Sequence, residues 1–243
     1  MQTIIIMVGA TFVASVVQGM TGVGFAMILM ALLPFVISYT QSAQLALMLT
    51  FFFSLYTIIK YKDEIDFKAI SVPIIFRFIG GAIGFKILMI FSDHLLTMIL
   101  GGMLVLFSCF VLITDNRLSI KQGNLNATIS GSLSGLFTGI ASIGGPPLVV
   151  YFLSVFGDNK KKYIASITFC YFVGCIYQLG LHAINGMLNV SMIRILLICL
   201  PSLVLGYLIG EKLLMRIKEE RIKKYVYFII LIMGALIIIG EII

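Results

Sequence analysis

The sequence contains no tryptophan, four cysteines, two histidines and only ten acidic residues among 243. Each scarcity excludes something. With 11% charged against 60% hydrophobic residues, the chain lacks the polar surface of a soluble globular domain. Cys109, Cys170, Cys175 and Cys199 form no CxxC or other metal-ligand spacing, so they read as small hydrophobes, and neither a metal nor another cofactor is expected. The carboxylates, among them Asp63, Glu64, Asp115, Asp158, Glu211 and Glu241, fall in connectors or near helix ends, leaving no buried acid for proton or sodium coupling. His94 and His182 stand singly at the expected outer ends of their segments and read as solvated interface residues rather than a proton relay. No HExxH, paired intramembrane aspartate or Ser/His/Asp arrangement occurs, which argues against an intramembrane protease or hydrolase, so no enzyme is expected. The N-terminus, MQTIIIMVGATF, lacks the basic region and cleavage site of a secretory signal and is expected to stay in the mature protein.

What the chain does have is apolar length. Runs long enough to cross a bilayer are expected at about 42–59, 69–90, 95–114, 163–182, 190–211 and 225–242. Two further segments, about 3–36 and 125–156, exceed one ordinary span and are broken near their middles by GMTGVG (19–24) and GIASIGGPP (139–147). The longest polar connector, EKLLMRIKEERIKK (211–224), has no room for an extramembrane catalytic module. The net charge of +7 resides in short loops and is read as setting membrane orientation, so no nucleic-acid partner is expected.

The order of elements repeats. GGAIGFK (80–86) and GYLIGEK (206–212) match at Gly80, Gly84 and Lys86 with Gly206, Gly210 and Lys212, which divides the chain into repeats at 1–116 and 117–243. Read as tilted single spans, the broken segments divide the loop Lys and Arg residues ten to five between the two membrane faces. Read as re-entrant hairpins, they place Lys60, Lys62, Lys68, Arg117, Lys121, Lys160, Lys161, Lys162, Lys212, Arg216, Lys218, Arg221, Lys223 and Lys224 on one face, opposite Lys86 alone. The second division fits the positive-inside rule better. The expected fold is therefore an all-α polytopic membrane protein of two inverted repeats, each a re-entrant Gly-broken hairpin plus three transmembrane helices, together one transporter domain with both termini outside. Eight transmembrane helices with two broken spans is the alternative. Hairpin arms of roughly 16 residues, about 24 Å if helical, would bring the tips past the midplane.

Broken backbone at membrane depth must be buried in protein or line a wet cavity, and in repeat-built transporters it faces the substrate. Glycine lets an anion approach the amides, and Pro146 suits the first turn of a second arm. Arg77, about eight residues or ~12 Å into its helix, lies near the midplane and needs a partner or an aqueous cavity. Its planar guanidinium suits oxyanions, although carbonyls exposed at a break are an alternative partner. Arg194 is close enough to its helix end to snorkel. Among the polar side chains Gln18, Thr21, Ser132, Ser134, Thr138 and Ser142, those beside the breaks (Thr21, Thr138 and Ser142) are favoured as ligands. Gly131, Gly135 and Gly139 form an every-fourth-residue row that reads as a close helix contact.

The duplicated pattern resembles the TauE/SafE family of sulfite-exporter-like anion transporters, grouped with toluenesulfonate uptake permease-like membrane proteins. The resemblance covers nearly the whole chain and rests on VVQGMTGVGFAMILMALLPF, GSLSGLFTGIASIGGPPLVVYFL and the paired GGAIGFK and GYLIGEK helices. The chain departs from the glycine-rich pattern at Phe25 and at Ala141 and Ser142. The resemblance implies movement of sulfite, sulfonates, sulfoacetate or related small organic anions. The resulting expectation is a secondary transporter of the bacterial plasma membrane working by alternating access. Arg77, Gln18, Gly19, Thr21, Gly22, Gly24, Thr138, Gly139, Ser142, Gly144 and Gly145 are the expected substrate-binding residues. Its partners are the small anion and membrane lipid, with a homodimer as an allowed assembly. A non-transporting membrane partner subunit and an anion channel are the competing readings.

Overall fold

A computed structural model describes residues 2–22, 24–114, 123–157, 159–214 and 219–242. Its helices are α1 (Gln2–Thr21), α2 (Phe25–Leu32), α3 (Tyr39–Tyr61), α4 (Phe67–Ile90), α5 (Asp93–Thr114), α6 (Asn124–Ala141), α7 (Gly145–Phe156), α8 (Lys160–Ile184), α9 (Val190–Leu214) and α10 (Glu219–Ile242). Short 3-10 turns cover Leu33–Phe35 and Lys62–Glu64. Arg117, Lys121, Arg216, Lys218, Asp115 and Asp158 lie outside the described residues, as do the side chains of Thr21, Arg221 and Lys223.

Among the described residues, seven helices are long and apolar enough to cross a bilayer: α1, α3, α4, α5, α8, α9 and α10. The chain is an all-α polytopic membrane protein. The six uninterrupted spans stand where the sequence places them. The seventh is α1, which runs for 20 residues, roughly 30 Å, where a shorter arm was expected. Gly9 has open space around it, and the helix continues until glycines take up positive φ at Gly22 and Gly24. The arms around each break are accordingly unequal: 20 and 8 residues for α1 and α2, 18 and 12 for α6 and α7.

The chain forms two compact units, each built from both sequence halves. One holds Met1–Leu49, Phe91–Asp115 and Asn189–Ile243, and the other Thr50–Ile90 and Asn116–Leu188. In the first unit α1 packs on α9 and α5 on α10; in the second α6 packs on α4, and α8 on both α4 and α7. Glycines set the closeness of the two main pairs. A Cβ at Gly84 would overlap Leu136 O and lie 3.0 Å from Gly139 Cα; one at Gly210 would overlap Val16 O and lie 3.0 Å from Gly19 Cα. The α4–α6 and α9–α1 pairs are thus built alike.

In the α4–α6 pair the Gly131, Gly135 and Gly139 row faces the backbone of α4. A Cβ at Gly131 would overlap the Pro73 carbonyl and one at Gly135 the Arg77 carbonyl, while one at Gly139 would lie 2.6 Å from Gly81 O. Local caps hold the ends of this unit. Asp66 Oδ1 accepts from Ala69 N at 3.1 Å at the start of α4, and Asn159 Oδ1 accepts from Lys162 N at 3.2 Å at the start of α8.

Candidate functional site around Arg77

The close approach of α6 to α4 decides what surrounds Arg77. Its side chain is 3% exposed. One Nη donates to Ser134 Oγ and the other to Thr138 Oγ1 at 2.9 Å, residues one turn apart on the same face of α6. Ser134 Oγ in turn donates to the Gly144 carbonyl at 2.6 Å, and Thr138 Oγ1 donates to the Ser134 carbonyl at 2.7 Å. The guanidinium is therefore tied, through one hydroxyl, to the backbone of the second break.

Two glycines and a tyrosine complete the surroundings of the head group. A Cβ at Gly144 would lie 2.8 Å from an Arg77 Nη, and one at Gly174 of α8 would overlap the guanidinium, 2.9 Å from Cζ. The Tyr171 ring centroid is 5.7 Å from Cζ, a cation–π contact. Of the five N–H donors of the guanidinium, the Nε–H has no partner. Among the described residues no carboxylate pairs with Arg77. A buried cation without a counter-charge costs several kcal/mol, which sets Arg77 apart from an ordinary span residue.

The break itself is set by Ser142, the sole non-glycine residue with positive φ (60°) among the described residues. Ser142 N donates to Thr138 O at 2.9 Å, Gly144 caps α7, and Pro146 occupies its first turn, where no amide donor is required. A Cβ at Gly145 would lie 3.1 Å from the Tyr171 hydroxyl. Thr138, Gly139, Ser142, Gly144 and Gly145 thus all belong to the unit that holds Arg77.

Gln18, Gly19, Gly22 and Gly24 belong to the other unit. There Gln18 spans its own break: Nε2 donates to Gly22 O at 2.8 Å, and Oε1 accepts from Phe25 N at 3.0 Å. Gly19 is pressed on α9, where a Cβ would lie 2.5 Å from Tyr207 O.

Ser134 lies farther from the break than Ser142, yet it holds Arg77 directly together with Thr138. Tyr171 and Gly174 were not singled out at all; glycine inside the apolar run of α8, at 174 and again at 180, is the only signal the sequence offers there. Arg194 is exposed near its helix end, as snorkelling requires.

In an all-α multi-pass membrane protein, broken helices are the elements that line the substrate sites of repeat-built transporters. The chain belongs to the sulfite exporter TauE/SafE family, whose model matches residues 7–237. Membership places it among membrane transporters of anions rather than among enzymes, with a small anionic substrate and a lipid environment. No curated protein and no solved structure matches the chain.

Proposed function

We propose that the chain carries a small sulfur-containing oxyanion across the bacterial plasma membrane as a secondary transporter, with Arg77 as its anion-binding group. The observation behind this reading is a guanidinium that is 3% exposed, faces no carboxylate among the described residues and keeps Nε–H unpaired. A mobile oxyanion supplies the missing charge, and the planar guanidinium suits the oxygens of sulfite or a sulfonate. Ser134 and Thr138 hold the head group, while Gly139, Ser142, Gly144 and Gly145 shape the backbone next to it.

The first break takes a framework role, with Gly19, Gly22 and Gly24 acting through backbone geometry and Gln18 through its two backbone bonds. Alternating access between inverted repeats at 1–116 and 117–243, with both termini outside, completes the proposal. The test is flux of radiolabelled sulfite, methanesulfonate, sulfoacetate and non-sulfur carboxylates into liposomes holding the purified protein. Saturable flux that prefers the sulfur anions is expected. Flux that does not saturate would favour a channel, and no flux from folded protein would favour a partner subunit.

A further inference from the structure

Beyond Gly174, α8 carries Gln178 and His182 at steps of four residues, and beyond Arg77, α4 carries Gly81 and Phe85 at the same step. The two rows face each other turn by turn. Gly174 accommodates the guanidinium, Gln178 Nε2 donates to Gly81 O at 3.0 Å, and the His182 ring meets the Phe85 ring edge at 4.9 Å between centroids. Gln178 and His182 are 2% and 1% exposed, so His182 is not the solvated interface residue expected from its place in the sequence. Each of the three turns leaves one buried polar atom unpaired: Arg77 Nε, Gln178 Oε1 and His182 Nε2.

The imidazole has a defined tautomer. His182 Nδ1 lies 2.9 Å from the Gln178 carbonyl, which can only accept, so Nδ1 carries a proton in either charge state. In the neutral ring Nε2 is therefore the lone-pair nitrogen, and it is the atom with no partner.

We propose that His182 is the proton-binding group of an anion–proton symporter: Nε2 takes up one proton when an anion occupies the Arg77 site and gives it up when the anion leaves. The charges along the seam supply the coupling. Protonating His182 while Arg77 is uncompensated adds a second buried cation about two helical turns away, whereas a bound anion cancels the first and makes room for it.

Among the described residues, the elements packed on α8 offer no countercharge at this end. Helix α4 brings Lys68, Arg77 and Lys86, α6 no titratable group, and α7 Tyr151. The adjoining part of α3, which stacks Phe51 on Phe172, brings Tyr56, Lys60 and Tyr61. Lys62, Asp63 and Glu64 lie in the turn beside the start of α8, next to Asp66, whose N–H donates to Ser166. On α8 itself stand Lys160, Lys161, Lys162, four tyrosine or cysteine neighbours of Arg77 and Gln178 (Cys170, Tyr171, Cys175, Tyr177), and Tyr163.

This inference rests on the anion-transport reading, and the experiment separates the two. Liposomes holding wild type or His182→Gln, with a pH dye inside, receive labelled methanesulfonate or sulfoacetate with and without an acid-outside gradient. Methanesulfonate is the anion of a strong acid, so protons that move with it are bound by the protein. In wild type the gradient is expected to accelerate uptake about tenfold and the entering anion to acidify the lumen. In His182→Gln the anion flux is expected to be the same with and without the gradient. A second measurement needs no variant: adding methanesulfonate to weakly buffered wild type in detergent should withdraw protons from solution. Wild-type flux indifferent to the gradient, a gradient response surviving in His182→Gln, or no proton uptake on binding would overturn the symport while leaving anion transport standing. No flux of any tested anion by folded wild type would overturn both.

Discussion

Gly22 and Ser142 each lie three residues beyond a glycine pressed into a neighbouring helix, and both take positive φ, 72° and 60°. Their surroundings differ. In the first break one neutral side chain, Gln18, satisfies a carbonyl and an amide on the far side of the break. In the second, Thr138 occupies the place before the pressed glycine, and the break is tied to a guanidinium from α4. Three residues before Gly80 stands Arg77, and three before Gly206 stands Leu203, buried at 4% exposure. The same backbone device is thus used once with a closed, uncharged set of hydrogen bonds and once with an open cationic one. The two breaks share a backbone device, and among the departures between them Arg77 is the one that brings a charge.

Removing that departure has the largest expected effect. Arg77→Ala should weaken sulfonate binding by about 10- to 100-fold, the range of a lost charge-assisted pairing, whereas Leu203→Ala should lower stability and leave affinity nearly unchanged. Equilibrium binding to the purified variants, with a thermal melt beside it, checks both halves; wild-type affinity in folded Arg77→Ala would remove Arg77 from the site. Next comes Gly174→Ala. Its methyl group occupies guanidinium space, so about a tenfold loss of affinity is expected, although alanine is the better helix former by about 1 kcal/mol.

A smaller pair of effects separates the two breaks. Gln18→Ala leaves the Gly22 carbonyl and the Phe25 amide without their partner and should cost about 1–3 kcal/mol of stability with affinity retained. Thr138→Val removes an Arg77 partner and should act mainly on affinity, a contrast that melting and binding curves measured together would expose or refute. The smallest change is Gly22→Ser, which asks the first break to accept the residue found in the second. Holding serine in the left-handed region should cost about 1 kcal/mol, read as a shift in melting temperature.

Much of this was legible beforehand for definite reasons. Spans announce themselves by apolar length, and the breaks by Gly and Pro, so Gly22, Gly24 and the Ser142–Gly144 turn appear where the sequence predicts irregular backbone. The Gly131, Gly135 and Gly139 row reads correctly as a contact because only backbone proximity requires such spacing. Its partner was not legible: that α6 meets α4, and α1 meets α9, is a tertiary choice between helices with similar faces. The contact of Ser134 with Arg77 was not legible because distance from the break says little about position on a helix face, and Thr138 and Ser134 share one. Tyr171 and Gly174 acquire meaning only once α8 lies on α4. His182 looked like an end residue because polar sequence follows it, yet α8 continues to Ile184 and the Phe85 ring meets the imidazole.

The glycine row has a mechanical consequence. Along three turns, α6 touches α4 with no side chain between the backbones, so neither helix can slide along the other without a Cα riding over a carbonyl oxygen. The two behave as one stiff part, and Arg77 travels with the hydroxyls that hold it. Such a clamp has jaws that do not open. On the transport reading proposed above, its grip on a passenger would keep one shape throughout a cycle, and release would come from water arriving and charge changing nearby rather than from the fingers letting go.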